Sequence, residues 1–254
     1  MTANPNKNPR PSTVDPDEIA HFSAIAAQWW DPHGKFRPLH QLNPIRILYI
    51  RDTLCAHFGR DPLGPKPLAG LRILDIGCGG GLLCEPLHRL GADIIGADAA
   101  DATIKTAATH AAEQGLAIDY RATTAEALAA TSERFDAIIN MEVVEHVTDV
   151  PVFLDACATL IKPGGIMLCA TLNRTLKALG LAVIAAEYIL GWLPRGTHDW
   201  KKFITPAELD TALKEAGLTP TARTGMVYNP ISGRWSLSRD MDVNYIIVSE
   251  KKSV

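Results

Sequence analysis

The stretch 71-LRILDIGCGGGLLCEPL-87 decides the fold. Leu71–Ile76 is a short apolar run with strand character. Glycines follow at 77, 79, 80 and 81, and a helix is expected over 82–90. Glycines between a strand and a helix let the chain turn sharply and bring its backbone close to a ligand. A dinucleotide fingerprint would need glycines at 77, 79 and 82, but residue 82 is leucine. That departure disfavours a pyrophosphate cofactor and, with it, an NAD-dependent dehydrogenase. Asp75, just before the loop, is placed to orient it or to meet a ligand ammonium. Gly77 and Gly79 are the candidate cradle positions.

Working outward, the next strand is expected over 93–97 and ends in "GADAA". Asp98 stands at its carboxyl end, about 20 residues beyond the glycines, where an acid accepts hydrogen bonds from both hydroxyls of a ribose. The bland alternative for the pair of features is a structural turn and a helix cap. Further strands are expected over 117–122, 135–140 and 166–172, with helices over 101–114 and 150–161, the latter stopping at "KPGG". A helix over 205–216 and two closing strands over 218–228 and 243–248, an antiparallel pair, complete the chain. Strands alternating with helices at this spacing imply a mostly parallel sheet covered on both faces. Upstream, helical spacing over 15–30 and a second helix over 44–58 form an N-terminal cap, joined to the rest by "GRDPLGPKPLAG". The expected organisation is a disordered tail over 1–14 and one domain over 15–254. Within it lie the cap (15–58), a cofactor-binding core (71–172), a lid or membrane-facing insert (173–204) and a closing segment (205–254).

Composition narrows the partners. Apolar residues make up 47% and charged residues 21% of the 254, with a net charge of −3, so nothing supports a nucleic-acid partner. The five cysteines show no paired or zinc-type spacing, which reads as reduced thiols in a cytoplasmic setting. The first residues lack the pattern of a secretory or transit peptide, again an expectation of a bacterial cytoplasm. No apolar run reaches the roughly 18 residues of a membrane span.

The glycine loop, Asp98 and "LIKPGG" before the fifth strand together resemble class I S-adenosylmethionine-dependent methyltransferases. That resemblance implies a Rossmann-like α/β fold with a mostly parallel, seven-stranded sheet and helices on both faces. It also implies that the loop holds the methionine part of the cofactor and the acid holds its ribose. Four longer blocks are more specific: 22-FSAIAAQWWDPHGKFRPLHQLNPIRILYI-50, "NMEVVEHV", the segment from Thr171 to Leu209 containing "GTHDWKKF", and 242-DVNY-245. Over residues 15–249 the chain is similar to the O-methyltransferases of ubiquinone biosynthesis. The resemblance implies two O-methylations, on a 2-polyprenyl-6-hydroxyphenol and on a 3-demethylubiquinol. It also implies cofactor contacts from Arg46, Gly77, Asp98 and Met141, and makes other ubiquinone-biosynthesis proteins plausible partners.

The chemistry then points to "NMEVVEHV". A phenol has a pKa near 10 and must lose its proton to attack a methyl group, so a base or a divalent cation has to favour the phenolate. If 142–146 is a helical turn, Glu142, Glu145 and His146 project to one side. The resemblance to metal-linked mitochondrial relatives implies Mg²⁺ on these three. The alternatives are His146 as the base, with the two glutamates favouring a helix start, or a purely structural cluster. His198 and Asp199 are a second acid–base pair, as readily structural. The apolar insert has a different character. Residues 174–196 are expected to dock on a membrane surface through Leu179, Leu181, Ile184, Tyr188, Leu190 and Trp192, with Lys177 and Arg195 near the head groups, or else to pack as an extra helix. Docking there would make the protein a peripheral one on the inner membrane.

Overall fold

A computed structural model describes residues 12–180 and 200–253. The chain begins with α1 (Pro16–Ile25), where Pro16 opens the first turn and Asp15 caps it by accepting from the Asp17 N–H at 3.1 Å. The cap continues in α2 (Arg37–His57), longer than the helix expected from Pro44. A proline inside a helix costs a hydrogen bond. Here the buried face formed by Leu42, Arg46, Ile50 and Leu54 holds the helix through it.

The alternating part follows as β1 (Arg72–Ile76), α3 (Cys84–Arg89), β2 (Asp93–Asp98), α4 (Asp101–Glu113), β3 (Asp119–Ala122), α5 (Ala125–Ala129), β4 (Phe135–Met141), α6 (Val150–Leu160) and β5 (Ile161–Leu172). The short α5, capped by the Thr124 hydroxyl, is an element the sequence did not announce. "KPGG" lies within β5 instead of between helix and strand, because Ile161 already pairs with Phe135 before the register shifts. The last part is α7 (Leu176–Ala178), α8 (Pro206–Glu215), β6 (Leu218–Asn229), β7 (Arg234–Ser238) and β8 (Asn244–Lys251). Thr205 and Glu208 close a capping box on α8.

The strands form one eight-stranded sheet in the order β3-β2-β1-β4-β5-β8-β6-β7, not the expected seven. β3 to β5 run parallel; β8, β6 and β7 join antiparallel. The additional strand is β7, whose residues are all exposed or half-buried, so it carries no core-facing apolar run and is held by pairing with β6. The expected pairing of the two closing strands is present. Successive strand residues face opposite sides. Thus Ile73, Ile139 and Leu168 enter one core with Leu54 and Leu87, while Leu74, Ile138 and Met167 enter the other with Leu154 and Tyr245. No helix among the described residues is long and apolar enough to cross a membrane.

Candidate active site

The carboxyl ends of β1, β2 and β4 open, together with the cap and the β6–β7 hairpin, onto a cavity of about 820 Å³. This is where an open α/β sheet places its ligand. Gly77 and Gly79 line it with φ of 73° and 54°. A Cβ on Gly77 would lie 2.2 Å from Val143 Cγ2, and one on Gly79 would lie 2.4 Å from the Trp29 ring. Both the backbone conformation and the space therefore demand glycine. Asp98 accepts from the Gly79 N–H at 3.0 Å on one oxygen and from the Ala100 N–H at 2.8 Å on the other. It ties the glycine loop to the start of α4 and keeps lone pairs for hydroxyls. Burial pushes its carboxyl above the ordinary range in spite of those bonds.

Asp75 is buried against the loop and accepts from Cys84 Sγ at 3.2 Å. Burial pushes its pKa up to about 7, with nearby Asp98 adding to the rise. Arg46 reaches the cavity from α2 and pairs with Glu142. Desolvation pulls its guanidinium down while Glu142, Glu145 and Asp75 hold it up. Met141 ends β4 and lines the cavity beside Glu142.

The cluster 142–146 is not the single helical turn the sequence suggested. Glu142 stands at φ 58°, outside any helix, and the short 3₁₀ turn begins at Val144. The three side chains diverge. Glu142 faces Arg46; Glu145 is buried and accepts from the Thr171 hydroxyl at 2.8 Å; His146 Nδ1 lies 3.2 Å from Glu18. Glu142 and His146 line the cavity with Glu18. Among the described residues no group of three or more His, Cys, Asp or Glu is set to hold a metal ion. Glu142, Glu145 and His146 turn to three different partners and are not gathered into the one shared Mg²⁺ site that the resemblance implied.

Sequence reasoning missed several residues. Glu18 sits on α1 and meets His146 across 128 positions, a pairing with no local signature; Phe22 on the same helix makes an edge contact to the imidazole, centroids 5.5 Å apart. Trp29 covers the glycine loop and stacks on Phe36, while Trp30 donates to the Gly80 carbonyl at 2.9 Å. The "WWD" block therefore clamps the cap onto the loop. Lys202 reaches back to Asp15 and Glu18 at 3.2 and 3.3 Å. Leu179 is described; Leu181, Ile184, Tyr188, Leu190, Trp192, Arg195, His198 and Asp199 lie outside the described residues.

Fold and site together define a class I S-adenosylmethionine-dependent methyltransferase. A family model described as "Methyltransferase domain" matches residues 48–222, more than half of the chain. Magnesium protoporphyrin IX methyltransferase from Synechocystis shares the fold: with bound SAH, TM-score 0.61 and 20% identity over 93% of this chain and 94% of that one. With bound SAM the values are 0.60 and 17%, over 94% and 99%. Two proteins named "Ubiquinone biosynthesis O-methyltransferase" are far more similar in sequence. The one from Chelativorans is 62% identical, covering 95% of this chain and 96% of its own; the one from Mesorhizobium japonicum is 60% identical, covering 97% and 99%. This chain belongs to the ubiquinone biosynthesis O-methyltransferase family.

The residues fit the cofactor. Arg46 Nε and Thr103 Oγ1 are buried at the cavity wall with no partner among the described residues, next to a loop that only glycine can form. Gly77 and Gly79 would cradle it, Asp98 would hold hydroxyls, and Arg46 with Asp75 would meet groups of opposite charge.

Proposed function

We propose that this chain methylates phenolic hydroxyls of polyprenylated ubiquinone precursors at both O-methylation steps of the pathway. The observation that carries the reading is the shared cavity: glycine loop and Asp98 at one side, the His146–Glu18 pair at the other. When bound, S-adenosylmethionine would supply an electrophilic sulfonium methyl for in-line transfer, an O–C bond forming as the C–S bond breaks and its electron pair leaves on sulfur. The chain aligns and deprotonates. Glu18, its carboxylate held down to about 2 by the bond to His146, fixes the imidazole through Nδ1. The ring's other nitrogen, Nε2, is the atom that takes the acceptor proton, the same division of labour as in other carboxylate–histidine bases. Glu142 neutralises the buried Arg46, and Glu145 braces the loop through Thr171. No step is assigned to a metal ion.

The polyprenyl acceptor places the enzyme at a membrane surface in the bacterial cytoplasm, with the segment 174–196 as the docking element. Apolar Leu176, exposed at its start, is consistent with that reading. The decisive experiment is transfer from labelled S-adenosylmethionine to a short-tail 3-demethylubiquinol. Stoichiometric O-methylation is expected, and no transfer overturns the reading. Liposome flotation of the wild type against an Ile184→Glu/Leu190→Glu variant tests the docking element; equal flotation removes it.

A further inference from the structure

The antiparallel half of the sheet supplies a second wall to the cavity. Met226 and Tyr228 from β6, Trp235 from β7 and Asn244 from β8 all line it. None comes from the strand ends that carry the glycine loop and Asp98. The Methyltransferase domain match ends at residue 222, within β6, so the paired residues 225–229 and 234–238 of the hairpin lie beyond the matched segment. The hairpin is firmly seated. Asn244 accepts from the Met226 N–H at 3.0 Å, and a Cβ on Gly225 would lie 1.8 Å from the Asp240 carbonyl oxygen. Tyr228 and Trp235 meet at 5.3 Å with their planes tilted by 48°.

The tryptophans divide in an informative way. Trp30 and Trp200 do not line the cavity, and each donates its indole N–H to a backbone carbonyl, of Gly80 at 2.9 Å and of Thr175 at 3.1 Å. Trp29 and Trp235 do line it, and the Nε1 of each is buried with no partner among the described residues. An indole N–H can only donate, and a buried one ordinarily finds an acceptor. Trp29 lies on the glycine loop, in the cofactor half. Trp235 stands in the other half, beside Tyr228 and in the same apolar cluster as the buried Met226.

We propose that the hairpin forms the acceptor-ring site and that Trp235 determines specificity there, its Nε1–H donating to an oxygen substituent of the ring other than the one methylated. Both acceptors of the reading above carry such a second ring oxygen. A site built around a buried donor rejects an analogue that leaves the donor unpaired far better than an apolar wall rejects a mismatch of size. This rests on the phenolic-acceptor reading above, and the test separates the two.

The test compares two short-tail acceptors, a catechol and the matched phenol without the second oxygen, in the full chain with S-adenosylmethionine. The wild type is expected to favour the catechol by about tenfold or more in kcat/KM. Trp235→Phe keeps a ring and deletes the N–H. It is expected to bring that ratio near unity by lowering the catechol value alone, with S-adenosylmethionine affinity within about twofold. A loss equal on both acceptors, or an unchanged ratio, overturns the assignment of Trp235. Absence of transfer to either acceptor by the wild type removes the phenolic-acceptor reading and this inference together. Should Trp235→Phe fail to fold, the Trp235 indole ¹H–¹⁵N resonance of the SAH-loaded wild type decides. A downfield shift with the catechol and none with the phenol supports the assignment, and equal shifts overturn it.

Discussion

The two walls of the cavity are built in different ways. The cofactor wall is made of backbone: glycines at positive φ, strand ends, and two carboxylates held by N–H and thiol donors within a few residues or one strand. The opposite wall is made of side chains brought from α1, the loop after β4 and the β6–β7 hairpin. A backbone cradle tolerates almost no substitution because a single Cβ collides. A side-chain wall can change one function at a time. The first kind of wall is fixed by backbone geometry, and the second by contacts between segments far apart in the chain.

Substitutions that break this comparison can be ordered by size. Gly79→Ala has the largest expected effect: its Cβ would run into the Trp29 ring at 2.4 Å, and φ of 54° strains any L-residue. Calorimetry is expected to show S-adenosylmethionine binding weakened by about a hundredfold or more; binding within threefold of wild type would show that the cradle is not backbone-built. His146→Ala comes next. It should lower kcat by about 10²–10⁴-fold while cofactor affinity stays within about twofold, and Glu18→Gln should follow with a smaller loss in kcat. Both deficits should shrink on a nitro-substituted phenol that is already ionised at neutral pH. Equal deficits on ordinary and acidic phenols would reduce the pair to a structural contact.

The smallest effect sharpens the cofactor side. Asp75 has a folded-state pKa of about 7 against 3.8 for the free side chain. An acid raised in this way favours the fold below its unfolded pKa, and that contribution is lost as pH rises through the folded one. Asp75→Asn removes the cost of burying the ionised form, so Tm should rise by several degrees at pH 8 and by little at pH 4. A Tm gain that is the same at both pH values would mean that Asp75 is not buried as a charge.

Much of the cofactor wall is legible in the sequence. The run Leu71–Ile76, the four glycines and Asp98 act through neighbours in the chain, and the departure at Leu82 already steers away from dinucleotides. The opposite wall is only half legible. "MEVVEHV" draws attention to the right residues, but its one-sided helical turn does not form, since Glu142 is drawn to Arg46 at φ 58° and Glu145 to Thr171. Trp235 carries no signal, because β7 buries no residue fully and exists by pairing with β6.

The alternating architecture, the glycine run, the place of Asp98 at the end of β2 and the family were all legible in the sequence, because these depend on local backbone conformation and on blocks of adjacent residues. Only the tertiary structure decided the partners of the acids and the imidazole. Glu18 with His146, Arg46 with Glu142 and Thr171 with Glu145 are contacts between distant segments, and which charge meets which is chosen by burial and packing once the sheet has assembled.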